Sequence, residues 1–152
     1  MTYEIRGAGI EQAKDVLNLL YPHYYDESIQ KKNGLTFDMD TAIGTVLEWI
    51  EGCKCVVAYK DGKPVGFMVW YFIKTVFEEQ EADLVMFFVM PKERGTGLSR
   101  DLAKIFDEDC KAGGVKAAYN GSSSGVSDKL YHNLFAKYGF DVLGTELVKF
   151  YE

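Results

Sequence analysis

Arg94-Gly95-Thr96-Gly97-Leu98-Ser99 follows an apolar run, Leu84 to Met90, that Pro91 closes. Directly after it, Leu98, Leu102, Ile105 and Phe106 recur on one face of a helical pattern. A strand, a glycine-rich turn and a helix start together make an anion site. Glycine lets the backbone approach a ligand closely, and the first N–H groups of a helix have no partner inside it. Those donors, with the positive end of the helix dipole, suit a phosphate or a pyrophosphate. The backbone N–H groups of Gly95, Thr96, Gly97, Leu98 and Ser99 are the expected donors. Arg94 and Arg100 are candidate phosphate contacts beside them.

Two common phosphate binders fail on local grounds. A dinucleotide fold wants a third glycine and an acidic residue about 20 positions on. Arg100 stands in the third glycine's place, and the next strand candidate, Val115 to Tyr119, is followed by Asn120, with no acid for a ribose. The Gly-Lys-Ser/Thr ending of a nucleoside-triphosphate loop is absent.

The longer pattern Val89-x-Pro91-x-x-Arg94-Gly95-x-Gly97-Leu98 resembles the acetyl-coenzyme A signature of the GNAT superfamily of N-acetyltransferases. The family core, Arg/Gln-x-x-Gly-x-Gly/Ala, is met by Arg94-x-x-Gly97-x-Ser99 except at its last position. Tyr138-Gly139-Phe140 resembles the Gly-Phe that closes the family's last helix. The resemblance implies acetyl-coenzyme A as co-substrate and no metal, with backbone near Phe88, Val89 and Met90 pairing with the pantetheine arm. Asn120 and Ser127 fall where relatives bond that arm with a polar side chain. It also implies an α+β (mixed α/β) fold: a mostly antiparallel sheet of six or seven strands, flanked by about four helices, in which strands 4 and 5 splay apart.

Acetyl transfer needs a neutral amine and a proton for the departing thiolate. Asp83 lies 11 residues before Arg94, the separation of the general-base glutamate in histone-acetylating relatives that this segment resembles. Many relatives carry an acid tyrosine four residues before the glycine of Gly-Phe. Here that position is Phe135, and Tyr131, one helical turn earlier on roughly the same face, is the candidate acid. Tyr24, Tyr25 and Asp26 occupy the segment where relatives read their acceptors, and aromatic and acidic side chains together suit a cation. The expectation is an acetyl-coenzyme A-dependent N-acetyltransferase acting on a primary amine. The alternative is an acyl-coenzyme A-binding module of the same fold with weak or no catalysis.

These residues must be positioned by a framework that the pattern also outlines. Tyr3–Arg6 reads as a first strand, and Ile10, Ala13, Val16, Leu17 and Leu20 as the face of a helix that Pro22 stops or breaks. A second helix runs from about Asp38 to Glu51, with Asp40 as its candidate cap and Ile43, Val46, Leu47 and Ile50 facing inward. Cys55–Tyr59 and Pro64–Lys74 flank Asp61-Gly62, a hairpin signal. Gly97–Ala112 is a helix closed by Gly113-Gly114. Ser127–Tyr138 is another, with Leu130, Leu134 and Phe135 inward, and two closing strands are expected near Phe140–Leu143 and Leu147–Tyr151.

At 152 residues one domain, 1–152, is expected. A 47% apolar and 26% charged composition is that of a globular chain with a core rather than a disordered one. No run suits a membrane span and no signal peptide opens the chain, so a cytoplasmic location is the default. The net charge of −6 disfavours a dedicated nucleic-acid binder and is compatible with a cationic acceptor. Cys53, Cys55 and Cys110 form no paired metal-ligand spacing and read as free thiols. A homodimer through the last strands or an exposed sheet edge is possible.

Overall fold

The computed structural model describes residues 2–121, 128–144 and 147–152. The elements run β1 (Glu4–Gly7), α1 (Ala13–Asn18), α2 (Tyr25–Glu27), α3 (Ile29–Lys32), α4 (Met39–Gly52), β2 (Lys54–Lys60), β3 (Lys63–Ile73), β4 (Glu81–Val89), α5 (Leu98–Ala112), β5 (Ala117–Asn120) and α6 (Asp128–Ala136). The strands form one sheet in sequence order, antiparallel from β1 to β4, with β4 and β5 parallel.

The apolar run in β3 is explained by helices on both faces of the sheet. Phe67 and Val69 face α1 and α4, joining Val16, Leu19, Val46, Val57 and Phe88 in one core. Met68 and Trp70 face the other way, onto Leu98, Leu102 and Phe106 of α5 and Phe135 of α6. Successive strand residues thus feed two separate cores. Phe67 is fully buried, and truncating it to alanine is expected to cost about 3–5 kcal/mol. The β2–β3 hairpin turns on Asp61 and Gly62, both at positive φ as a two-residue turn of this hand requires.

The feature that positions the site is where β4 loses β5. The parallel pairing covers only Glu81↔Ala117 through Leu84↔Asn120. At the next residue β4 bulges: Trp70 pairs with Leu84 and Val69 with Met86, leaving Val85 without an opposite. A bulge bends its strand and sharpens its twist. From Met86 to Val89, β4 is paired to β3 on one side and has no strand partner on the other among the described residues, which is the expected splay between strands 4 and 5.

Other expectations need correction. The sheet has five strands among the described residues, not six or seven, because residues 140–144 and 147–152 carry no strand pairing. Their apolar side chains stay outside: Val142, Leu143, Leu147, Val148 and Tyr151 are exposed. Asp38, not Asp40, caps α4, accepting from the Asp40 N–H and the Thr41 hydroxyl. Ile10 is exposed because the chain there is a 3-10 turn, out of phase with α1. Leu130 points away from the core, whereas Phe135 is buried. The helix after α1 breaks at Tyr21, which has extended backbone before Pro22.

Candidate functional site

Gly95 and Gly97 have φ of +82° and +99°, a region that side-chain-bearing residues avoid. Gly97 is the residue before α5 and offers no side-chain cap. The first bond into the helix runs from the Asp101 N–H to the Gly97 carbonyl, at 3.0 Å. The N–H groups of Leu98, Ser99 and Arg100 therefore stand without partners among the described residues, at the positive end of a 15-residue helix. Leu98 anchors this end by its fully buried side chain. The Arg100 guanidinium folds back over the turn, so near that a Cβ on Gly97 would lie 3.2 Å from Nη2.

A carboxylate braces the turn. Glu93 is only 7% exposed; the Tyr3 hydroxyl donates to its Oε2 at 2.6 Å, and Lys60 Nζ lies 3.2 Å from Oε1. Thr96 is tied to the same group, its hydroxyl donating to the Glu93 carbonyl at 2.6 Å and lying 2.6 Å from the Tyr3 hydroxyl. The Tyr3 bond, then Lys60, holds the Glu93 carboxyl below its ordinary range. These bonds tie the start of the turn to Tyr3 and to Lys60 of β2.

Arg94 is already committed. Nη1 and Nη2 grip both oxygens of Glu27 at 2.7 and 2.5 Å, Nε donates to the Val89 carbonyl at 2.9 Å, and the guanidinium lies 5.8 Å from the Phe88 ring centroid. Of the two arginines named from the sequence, Arg100 is the one held across the turn.

The open edge of β4 follows from register. Met90 N–H bonds to the Val65 carbonyl at 2.8 Å, so Gly66↔Val89 is a non-bonded pair. In an antiparallel ladder such pairs alternate with bonded ones, so Phe88 is spent on β3 while Phe87 and Val89 direct N–H and C=O outward. Arg94 takes the Val89 carbonyl, which leaves the Val89 N–H and both Phe87 groups facing the opening. The Phe88 and Val89 side chains are both buried. Phe87 escaped the sequence reading because the outward parity depends on the pairing with Gly66.

Asn120 ends β5 at the mouth of the opening. Its amide nitrogen is buried with no hydrogen-bond partner among the described residues. Leaving such a donor unpaired costs about 1–3 kcal/mol, so the position fits a ligand oxygen. Ser127 lies outside the described residues. A cavity of about 930 Å³ on this side is lined by Asn120, Tyr131, Phe135 and Tyr138 among others.

Asp83 and Tyr131 lie on opposite faces of β4. Ala82 and Leu84 belong to the α5/α6 core, so Asp83 between them faces α1 and α4. There the Tyr71 hydroxyl donates to Asp83 Oδ2 at 3.2 Å. Burial, and then the Asp83 charge, pushes the Tyr71 phenol up. Tyr131 packs edge-on against Phe87 with ring centroids 5.9 Å apart, and against Phe135 at 4.9 Å. Burial pushes its phenol well above the ordinary value, so it stays protonated at neutral pH. The opening after the bulge lies between these two groups.

The acceptor residues named from the sequence already have partners within the protein. Tyr24 packs edge-on against Phe88 at 5.9 Å. The Tyr25 hydroxyl bonds to the Leu35 carbonyl, and its ring joins Tyr21 and Phe37. Lys31 Nζ sits 2.6 Å from Asp26 Oδ1 and 5.6 Å from the Tyr25 ring centroid. The aromatic and acidic pair already holds a cation, and it is the chain's own. Glu27 and Glu93 had no signal of their own in the sequence, since their partners are 67 and 90 positions away.

Burial, not pairing, governs the thiols. Cys53, Cys55 and Cys110 are free, and desolvation pushes Cys55 up to about 12 and Cys110 to about 11. None is poised as a nucleophile.

Comparison with known proteins places this geometry in a family. No curated protein sequence matches the chain. Among solved structures the chain is similar to a ribosomal-protein-alanine N-acetyltransferase from Brucella melitensis biovar Abortus 2308, at 13% identity over 99% of this chain and 100% of that one, with a TM-score of 0.71. It is similar to AAC(6')-Iy in complex with the bisubstrate analog CoA-S-monomethyl-acetylneamine, at 16% identity, 100% and 98% coverage and a TM-score of 0.69. A transcriptional regulator from Bacillus halodurans C-125 shares the fold as well, at 15% identity, 99% and 100% coverage and a TM-score of 0.75. At these identities the likeness is one of fold. The model of the acetyltransferase (GNAT) family matches residues 14–140, most of the chain and all of the turn, and the protein belongs to that family.

Proposed function

We propose that the protein is an N-acetyltransferase that moves an acetyl group directly from acetyl-coenzyme A to a primary amine, on a small cationic molecule or on a protein lysine or N-terminus. The observation that carries this reading is the uncapped N-terminus of α5 beside the open edge of β4. The first suits a pyrophosphate, and the second offers amide groups to an extended arm. From Val89 back to Val85 the strand covers about 13 Å at ~3.3 Å per residue, carrying such an arm from the turn to the bulge. Asn120, whose buried amide donor has no partner among the described residues, stands at that end. AAC(6')-Iy, a structural neighbour, has been solved with coenzyme A.

The chemistry then divides across β4. Asp83, on the α1/α4 face, takes a proton from the acceptor ammonium, directly or through water, and the freed amine attacks the thioester carbonyl. The N–H groups of Phe87 and Val89 on the open edge are available to polarise that carbonyl as charge develops on its oxygen. As the amine adds, its nitrogen loses a second proton to solvent and Asp83 passes on the one it took. The C–S bond breaks, and Tyr131 gives its phenolic proton to the thiolate. The products are the amide and free coenzyme A; the phenolate recovers its proton from solvent. Tyr71 holds the Asp83 carboxylate in place from the neighbouring strand.

The test is release of free thiol from acetyl-coenzyme A against a panel of amines, namely an aminoglycoside, a polyamine and lysine-bearing peptides. The expected result is turnover with one class that falls about 100-fold or more in Asp83→Asn at unchanged coenzyme affinity. Equal turnover by wild type and Asp83→Asn would remove Asp83 from the mechanism. Coenzyme binding with no turnover across the panel favours the binding-module alternative.

A further inference from the structure

Arg94 sits inside the coenzyme signature, yet its side chain serves the other half of the site. We infer that Arg94 is a positioning residue that couples coenzyme binding to the order of the acceptor segment, through Glu27. This rests on the coenzyme reading above and adds to it a link between the two half-sites.

The geometry is specific. Three of the guanidinium's donors are used: two on the Glu27 carboxylate at 2.5 and 2.7 Å, one on the carbonyl that ends β4 at 2.9 Å. The pair is about 28% exposed on each side, unlike the Lys31–Asp26 pair, which is near half exposed. A two-pronged, partly buried pair holds direction as well as distance, which a solvated pair does not. Glu27 ends α2, directly before the Ser28 cap of α3, so the bond fixes the middle of the 21–37 segment. A further tie from this segment to the end of β4 is the Tyr24–Phe88 ring contact.

Arg94 also immediately precedes Gly95. A ligand that fixes the 95–100 turn restricts the Arg94 backbone and therefore the direction of its guanidinium. Order is passed to Glu27 and along the acceptor segment, and by linkage an ordered segment favours the ligand in return. Lysine would not serve, because a single ammonium cannot fork onto a carboxylate while also holding the Val89 carbonyl.

The test is limited trypsin digestion of the full chain at Lys31 and Lys32, with and without saturating coenzyme A, alongside calorimetric titration of coenzyme A. In the wild type, coenzyme A is expected to slow this cleavage roughly five-fold or more. Glu27→Gln, at coenzyme A concentrations that still saturate it, is expected to lose that protection and, by the same linkage, to bind coenzyme A roughly five-fold more weakly. Arg94→Lys is expected to behave the same way, and Glu27→Gln/Arg94→Gln to be no worse than either single change. Thermal melts check that each variant is folded, and the charge-retaining Arg94→Lys serves should Glu27→Gln melt early. Full protection in Glu27→Gln or Arg94→Lys, with coenzyme A bound, would overturn the coupling and leave the coenzyme reading standing. No binding of coenzyme A by the wild type would overturn both.

Discussion

The two halves of the site are built from different material. The coenzyme side is mostly backbone: N–H groups at the start of α5, amide groups on the open edge of β4, and two glycines whose left-handed conformations aim them. The acceptor side, residues 21–37, is mostly side chain: Tyr25 and Asp26 are engaged within the segment and Glu27 by Arg94, while the buried Gln30 Oε1 has no hydrogen-bond partner among the described residues. A backbone site depends little on which side chains surround it. A side-chain site must exchange internal partners for the ligand's. That difference predicts where mutations hurt most, and it predicts that specificity, unlike coenzyme binding, is set by what the acceptor can displace.

The sharpest way to break this contrast is Gly97→Val. A β-branched residue at φ +99° is strained, and its Cβ would crowd the Arg100 guanidinium. Coenzyme affinity, read by calorimetry, is expected to fall on the order of 100-fold with the fold intact by circular dichroism. A smaller loss would mean that the turn is not the anchor.

Tyr131→Phe is expected to cost roughly ten-fold in turnover at unchanged coenzyme affinity, since water can also protonate a thiolate at neutral pH. Because burial raises the Tyr131 phenol, the wild-type rate should show no alkaline fall from this group below pH 10. A tyrosine titrating near neutrality in that profile would contradict its assignment as a proton donor.

The brace beneath the turn gives an acid-side prediction. The folded Glu93 carboxyl titrates below its ordinary value of 4.5, so its contribution is complete above that value. It is lost as pH falls through the lowered value. Glu93→Gln should flatten the decline of melting temperature below about pH 4.5 while lowering it at neutral pH. A Glu93→Gln profile parallel to wild type would show that the carboxylate does not brace the turn.

The smallest expected effect tests the acceptor side. Lys31→Ala frees Asp26 and the face of Tyr25 from their internal cation. An exposed pair is worth about 0.2–1 kcal/mol, so stability should barely move. The KM for a cationic acceptor is expected to fall about two- to five-fold. A rise instead would mean that Lys31 organises the segment rather than competing for it.

What could be read from the sequence follows the same division. The Gly95-x-Gly97 turn, the α5 face and the Asp61-Gly62 hairpin were legible because local backbone chemistry fixes them. The outward direction of Phe87 was not, since it depends on pairing with Gly66 across a bulge. The Arg94–Glu27 bond was not either: Arg94 matched a coenzyme motif, and nothing local says that its side chain turns back 67 residues. The closing strands expected near Phe140–Leu143 and Leu147–Tyr151 follow from the resemblance of Tyr138-Gly139-Phe140 to the family's Gly-Phe, which names no pairing partner in this chain. Residues 141–144 and 147–152 carry no strand pairing among the described residues.

The most direct measurement is a calorimetric titration of the purified protein with acetyl-coenzyme A, beside NAD and ATP. The expected result is micromolar, one-to-one binding of acetyl-coenzyme A, weakened on the order of 100-fold by Gly97→Val, with no comparable heat from NAD or ATP. No binding of acetyl-coenzyme A, or equal binding of ATP, would contradict it and return the glycine turn to a tight corner between a strand and a helix.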